Sequence, residues 1–214
     1  MLNIYLTRHG ETQWNKENRL QGSKDSELTD NGIENAIMLG KRLSNIDFNA
    51  IYSSTSERAF QTAKYITLDK DIPIYTNEDL KEIHFGEWEG KTKEEILAIK
   101  NYNIQFRNFW DNPHTYNHKP HKGEGLTVFK QRVEDAVRRV ISENHNGNIL
   151  IVTHAVVIRA ILSFTMNIST EQMWEPPFIH GTSLTTFNWD GEQFNYKMIG
   201  DTSHFMSETK LYSG

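Results

Sequence analysis

Two arginines and two histidines in this chain stand where an anion could be caught. Each follows a short apolar run. Leu2-Asn3-Ile4-Tyr5-Leu6-Thr7 delivers Arg8 and His9, Tyr52-Ser53 leads through Ser54-Thr55-Ser56 to Arg58, and Val152-Thr153 delivers His154. A guanidinium presents a rigid fork of N–H donors that matches two oxygens of a phosphate or carboxylate. A neutral imidazole can act as nucleophile, base or hydrogen-bond donor. One such residue after a strand is more often structural or solvated. Three strand tips meeting would make a single anion site, and convergence alone implies phosphate or carboxylate binding.

The elements that must position these groups are legible in the pattern. Residues 2–7 and 50–53 have strand composition, and Asn148-Ile149-Leu150-Ile151-Val152-Thr153 is continuously apolar, as a strand buried on both faces should be. Thr29-Asp30-Asn31-Gly32 is a helix start, after which Ile33, Ala36, Ile37, Gly40 and Leu43 recur at helical spacing. Residues 56–68 predict another helix. Val128, Val133, Val137, Val140 and Ile141 mark a long one ending before Asn146-Gly147-Asn148. This alternation predicts an α/β fold of three layers, α/β/α, with a mainly parallel central sheet. Ligands of such sheets bind beyond the carboxyl ends of the strands. Leu184 to Trp189 and Phe194 to Ile199 flank Asp190-Gly191-Glu192-Gln193 and predict a hairpin at the sheet edge. Residues 91–123, with Pro113 and Pro120, are aromatic, histidine-rich and expected to be irregular. They are expected to form an insertion over the active-site face of a single domain spanning 1–214.

These residues also carry a resemblance. Leu6-Thr7-Arg8-His9-Gly10-Glu11-Thr12-Gln13-Trp14-Asn15 is similar to the signature of the histidine phosphatase, or phosphoglycerate-mutase-like, superfamily. Further blocks follow in family order: Arg19-Leu20-Gln21-Gly22, Leu28-Thr29-Asp30-Asn31-Gly32, residues 53–63, Leu80-Lys81-Glu82-Ile83-His84-Phe85-Gly86-Glu87-Trp88-Glu89-Gly90, and Ile151-Val152-Thr153-His154. The resemblance implies a phosphomonoester hydrolase of metal-independent, histidine acid type. His9 would be the nucleophile that becomes phosphohistidine, and Glu82 the general acid and base. Arg8, Arg58 and His154 would surround the phosphoryl oxygens with Asn15 as a neutral donor, and Gln21 and Gly22 would belong to the substrate-contacting loop. Glu87 and Glu89 are the other carboxylates near that acid position. Two positions depart from the family pattern. Ala155 stands where glycine is common, which requires a negative φ there, and Gly125 stands where serine is usual. The run from Phe85 to Gly90 resembles the phosphatase branch; a phosphoglycerate mutase is the alternative, and a non-catalytic phosphate-binding module the remoter one.

Bulk composition narrows the classes. Net charge is −5 with pI about 6.0, which argues against a nucleic-acid partner. With no cysteine, disulfides, zinc-thiolate centres and thiolate-dependent phosphatases are excluded. There is no HExxH, EF-hand loop or Walker A, so neither cofactor nor metal is expected. His118 and His121 are expected on a surface loop rather than as ligands, and His84 near the pocket rim. Phe106, Phe109, Trp110 and Tyr116 would pack, or roof the pocket. The apolar stretch 149–166 is interrupted by His154 and Arg159 and does not suggest a membrane span. The short apolar start, met at once by Arg8, does not suggest a signal peptide, so a cytoplasmic protein acting on a small phosphorylated substrate is expected.

Overall fold

In the computed structural model, which describes residues 1–68, 70–175 and 177–205, six strands form one sheet. They are β1 (Leu2–Arg8), β2 (Ala50–Ser54), β3 (Ile74–Asn77), β4 (Gly147–Thr153), β5 (Leu184–Trp189) and β6 (Phe194–Asp201), in the spatial order β3-β2-β4-β1-β5-β6. β1 to β4 run parallel, β5 runs against β1, and β6 turns back against β5. The helices are α1 (Gln13–Lys16), α2 (Asp30–Arg42), α3 (Glu57–Thr67), α4 (Lys93–Leu97), α5 (Lys100–Asp111), α6 (Leu126–Glu143) and α7 (Ala155–Thr165).

Strand β4 shows why three layers form. Successive side chains of a strand point to opposite faces. Ile149 and Ile151 enter a core shared with Val133, Val137 and Val140 of α6 and Val157, Ile158 and Ile161 of α7. Leu150 and Val152 enter the second core, with Ala36 and Leu39 of α2 and Ala59, Ala63 and Ile66 of α3. Both faces of the strand are therefore apolar, as its sequence implied. Helix α2 begins where expected: the Thr29 hydroxyl accepts a hydrogen bond from the Gly32 amide at 3.0 Å.

Some elements were not legible. Helix α7 is buried nearly all round, so no exposed face marks it in the sequence. Ala155 opens it in helical backbone, which removes the need for glycine there. Residues 91–123 are less irregular than expected: they contain α4, α5 and single 3-10 turns at Pro113–Thr115 and Lys119–His121. Here Thr92 caps α4 through a reciprocal bond with Glu95, while Phe106 and Phe109 of α5 go into the core. His121 corrects a second expectation, because it is completely buried rather than on a surface loop. Its ring stacks on Trp88 at 3.6 Å, Nδ1 donates to the Phe85 carbonyl at 2.9 Å, and Nε2 accepts from Tyr116 Oη at 2.9 Å. Burial accordingly pushes its pKa down to about 4. No helix among the described residues is long and apolar enough to cross a membrane.

Candidate active site

The carboxyl ends of β1, β2 and β4 meet, because β4 lies between β2 and β1 with Arg8 in register with Thr153. The turn after β1 is tied down on two sides. The His9 amide donates to the Thr153 carbonyl at 2.8 Å, and the Gly10 amide donates to Thr62 Oγ1 at 2.9 Å. This brings Arg8, His9, Arg58 and His154 together, with His9, Arg58 and His154 nearly or wholly buried.

The bonding pattern fixes the tautomers. His9 Nδ1 lies 2.7 Å from the Gly10 carbonyl, which can only accept, so Nδ1 carries the proton and Nε2 is a bare lone pair. Burial, then the adjacent Arg58 and Arg8 charges, hold His9 well below its usual pKa. His154 has the opposite tautomer. Its Nδ1 accepts from Arg58 Nη2 at 3.0 Å, so Nε2–H donates to Ser54 Oγ at 2.8 Å. It too is held well below its ordinary pKa, chiefly by burial. The two imidazoles meet edge to face with centroids 5.2 Å apart. Both ring nitrogens of His154 are thus engaged, one by Arg58 and the other by Ser54.

Arg58 is the most heavily held group. Nη1 pairs with Asp25 Oδ1 at 2.6 Å and donates to the Lys24 carbonyl at 3.0 Å, while Nη2 also donates to the Gly22 carbonyl at 2.9 Å. Arg8 Nη1 donates to the Ile179 carbonyl at 2.9 Å. The Nε groups of both arginines are buried without a protein partner. Orphaned buried donors on two cations are costly unless an anion meets them.

Glu82 approaches the same cluster from the turn after β3. Oε1 accepts from the Ile83 amide and Oε2 from the Val156 amide in the first turn of α7, each at 3.0 Å. Burial raises its pKa, outweighing these two bonds and the nearby Arg58 and Arg8 charges that favour the carboxylate. The competing carboxylates are elsewhere engaged. Glu87 is exposed and pairs with Lys122. Glu89 is buried and accepts from the Ser23, Lys24 and Phe85 amides, stitching the residue 22–24 loop to the loop after Glu82.

The remaining expected residues form the surrounding loop. Gly22 is packed so closely that a Cβ would lie 2.5 Å from Glu89 Oε1 and 2.6 Å from the Ile83 carbonyl. The Gln21 amide is committed at both ends, accepting from Thr12 Oγ1 at 2.9 Å and donating to Ser26 Oγ at 3.0 Å, so it shapes this loop. Asn15 Oδ1 accepts from the Thr12 amide at 3.2 Å in the cap of α1. His84 is half-exposed beside Ser23 and Glu89. Gly125 is the N-cap of α6 and offers no side-chain cap.

Sequence reasoning missed Asp25, Ser54 and the Ile179 carbonyl as supports of the charged groups. It also missed Arg132, which pairs with Glu124 at 2.7 Å and donates to the Asp79 and Lys81 carbonyls at 2.9 Å just before Glu82. Ser54 lies within a quoted block, but neither it nor a backbone carbonyl announces its partner in sequence. Among the described residues no group of three or more His, Asp or Glu side chains is arranged to hold a metal ion.

Comparison with known proteins gives a consistent relationship. The family model for the histidine phosphatase superfamily (branch 1) matches residues 4–202. The adenosylcobalamin/alpha-ribazole phosphatase of Escherichia coli is 32% identical over 176 residues, covering 81% of this chain and 83% of that protein. Phosphoglycerate mutase-like protein 4 of Arabidopsis thaliana is 32% identical over 214 residues, covering 99% and 90%. The solved structure of YhfR from Bacillus stearothermophilus superposes with a TM-score of 0.90 at 43% identity, covering 95% of this chain and 99% of that one.

Proposed function

The chain belongs to the histidine phosphatase superfamily, branch 1, and from that premise we propose that it hydrolyses small phosphomonoesters through a phosphohistidine at His9. The observation that carries the reading is the bare Nε2 lone pair of a neutral, buried His9 beside two arginines with orphaned buried Nε donors. The phosphoryl group would be drawn to those donors, which balance charge on its oxygens during in-line transfer. His9 Nε2 forms the N–P bond as the ester P–O bond breaks. The leaving alkoxide takes its proton from Glu82, whose buried carboxyl is suited to remain protonated. Glu82, now a carboxylate, then takes a proton from the water that attacks phosphorus, and His9 leaves as the neutral imidazole. His154 and Asp25 keep Arg58 in place throughout. Because the charges are side-chain cations, EDTA is expected to leave turnover intact; strong inhibition on metal removal would count against the scheme.

The test is a rapid quench with a ³²P-labelled ester. Acid-labile label should appear on the protein, vanish in His9→Ala, and accumulate in Glu82→Gln if water attack is slowed more than transfer. Turnover undiminished in His9→Ala would overturn the covalent route. A mutase is the rival reading. Efficient isomerisation of 3-phosphoglycerate in the presence of bisphosphoglycerate, with negligible phosphate release from p-nitrophenyl phosphate, would favour it.

A further inference from the structure

Glu89 lies in the same motif block as Glu82, and the hydrolysis scheme gives it no task. Its side chain is nevertheless wholly out of solvent. Four N–H groups converge on it. Oε1 accepts from the Ser23 and Phe85 amides at 3.0 Å and from His84 Nδ1 at 2.9 Å, and Oε2 accepts from the Lys24 amide at 2.9 Å. A carboxylate only accepts, so it can meet all four; a side-chain amide of the same shape would turn donors towards at least one of them. The partners come from two separate loops. Residues 22–24 carry the carbonyls that hold Arg58, and residues 83–85 follow directly on Glu82.

On the phosphate side, two consecutive residues tie Glu89 to Arg58. The Gly22–Ser23 peptide gives its N–H to Glu89, while its C=O accepts from Arg58 Nη2 at 2.9 Å. The C=O and N–H of a trans peptide point in opposite directions across one rigid plane, so this unit lies between an anion and a cation with its dipole matched at both ends. Turned over, it would set each end against the wrong charge. Lys24 repeats the arrangement, its N–H on Glu89 and its C=O accepting from Arg58 Nη1 at 3.0 Å. Bonds in such a chain polarise one another. On the acid side, the Phe85 bond fixes the loop that begins at Glu82. The two loops are zipped further, with the Gly90 amide donating to the Leu20 carbonyl at 2.9 Å and the Leu20 amide to the Lys91 carbonyl at 3.0 Å.

We infer that Glu89 is a positioning residue: one buried carboxylate sets the spacing between Arg58, which meets the phosphoryl oxygens, and Glu82, which serves the leaving oxygen. Its effect on turnover rests on the hydrolase reading; its effect on anion binding needs only the charged cluster. Misplacing a reacting group by about 1 Å can cost about 10²-fold in rate, and loss of Glu89 would release both loops at once.

The test is Glu89→Gln, which keeps the shape and replaces one acceptor oxygen by a donor. It should lower kcat/KM for p-nitrophenyl phosphate by about 10²-fold, with kcat falling and KM rising together, and raise the Kd of orthovanadate about tenfold. Glu87→Gln removes the same charge from an exposed neighbour that pairs with Lys122, and should leave both quantities within about twofold of wild type. A double-mutant cycle, read by calorimetry with orthovanadate, separates positioning from lost stability. Arg58→Lys keeps the cation but loses the fork that the Gly22 and Lys24 carbonyls grip. In that background Glu89→Gln should weaken vanadate binding by less than about twofold. The same tenfold weakening in both backgrounds, or a kcat/KM for Glu89→Gln equal to wild type, would overturn the inference. If no ester releases phosphate, the hydrolase reading falls on its own, and the vanadate cycle still decides the role of Glu89. Failure of the wild-type protein to bind vanadate would overturn both.

Discussion

At the scale of single residues, two groups are driven in opposite directions by one cause. Burial disfavours charge, so the pKa of His9 is held well below its usual range while that of Glu82 is raised above its own. As pH falls through about 6.5, an ordinary histidine would gain a proton and lose its nucleophilicity; His9 keeps its lone pair. As pH rises past the elevated value of Glu82, the acid is lost. Activity should therefore persist below pH 6 and decline on the alkaline side, and Glu82→Gln should be slow at every pH with that alkaline limb removed. A pH profile of kcat/KM decides this, and an unchanged limb in the variant would refute the role of Glu82. Asp25 offers a second test. It holds Arg58 Nη1 and accepts from the Glu57 amide at 2.8 Å at the start of α3. Asp25→Ala should weaken inhibition by vanadate and lower kcat/KM by about 10²-fold, as misplacement of a positioned cation does. An inhibition constant equal to wild type would exclude this support.

At the scale of elements, Glu82, the proposed acid, is carried by a turn rather than a strand, and that turn is clamped. Arg132 of α6 does this through the carbonyls before Glu82 and through Glu124, which itself accepts from the His84 amide at 3.2 Å. Arg132→Met should lower kcat more than it raises KM, because Glu82 is misplaced while the phosphate donors stay; KM rising with kcat unchanged would contradict this. The loop after Glu82 turns at Gly86, whose φ is +59° and where a Cβ would sit 2.0 Å from the His121 carbonyl. Gly86→Ala should therefore cost about 1–3 kcal/mol by backbone strain alone, with more from the clash, measurable as a shifted urea midpoint. That turn was visible in sequence only as one glycine in a motif. Its contact with His121 was not, since the two are far apart along the chain.

At the scale of the whole molecule, four buried histidines couple stability to pH. His9, His121, His154 and His204 all have folded-state pKa values below the ordinary one, with His121 and His204 at about 4. The unfolded chain takes up protons first, so stability is full above about pH 6.5 and is lost as pH falls towards these values. Glu82 acts in the opposite sense, but it is one group against four. The urea midpoint should fall steadily from pH 7 to pH 5, and His121→Gln should flatten that slope; a midpoint independent of pH would refute the account. The sequence alone determined the layered α/β architecture, because Ile149 to Val152 of β4 are apolar on both faces and α2 carries one apolar face; period and continuity are local properties. It likewise implied that Arg8, His9, Arg58 and His154 would come together, since parallel strands place their carboxyl ends side by side. Tertiary structure decided the rest. Which nitrogen of each histidine bears the proton and which of three acidic side chains faces the arginines both depend on partners distant in sequence. A buried donor's bond and a carboxyl's pKa are set by what surrounds them in space, and no local pattern encodes that.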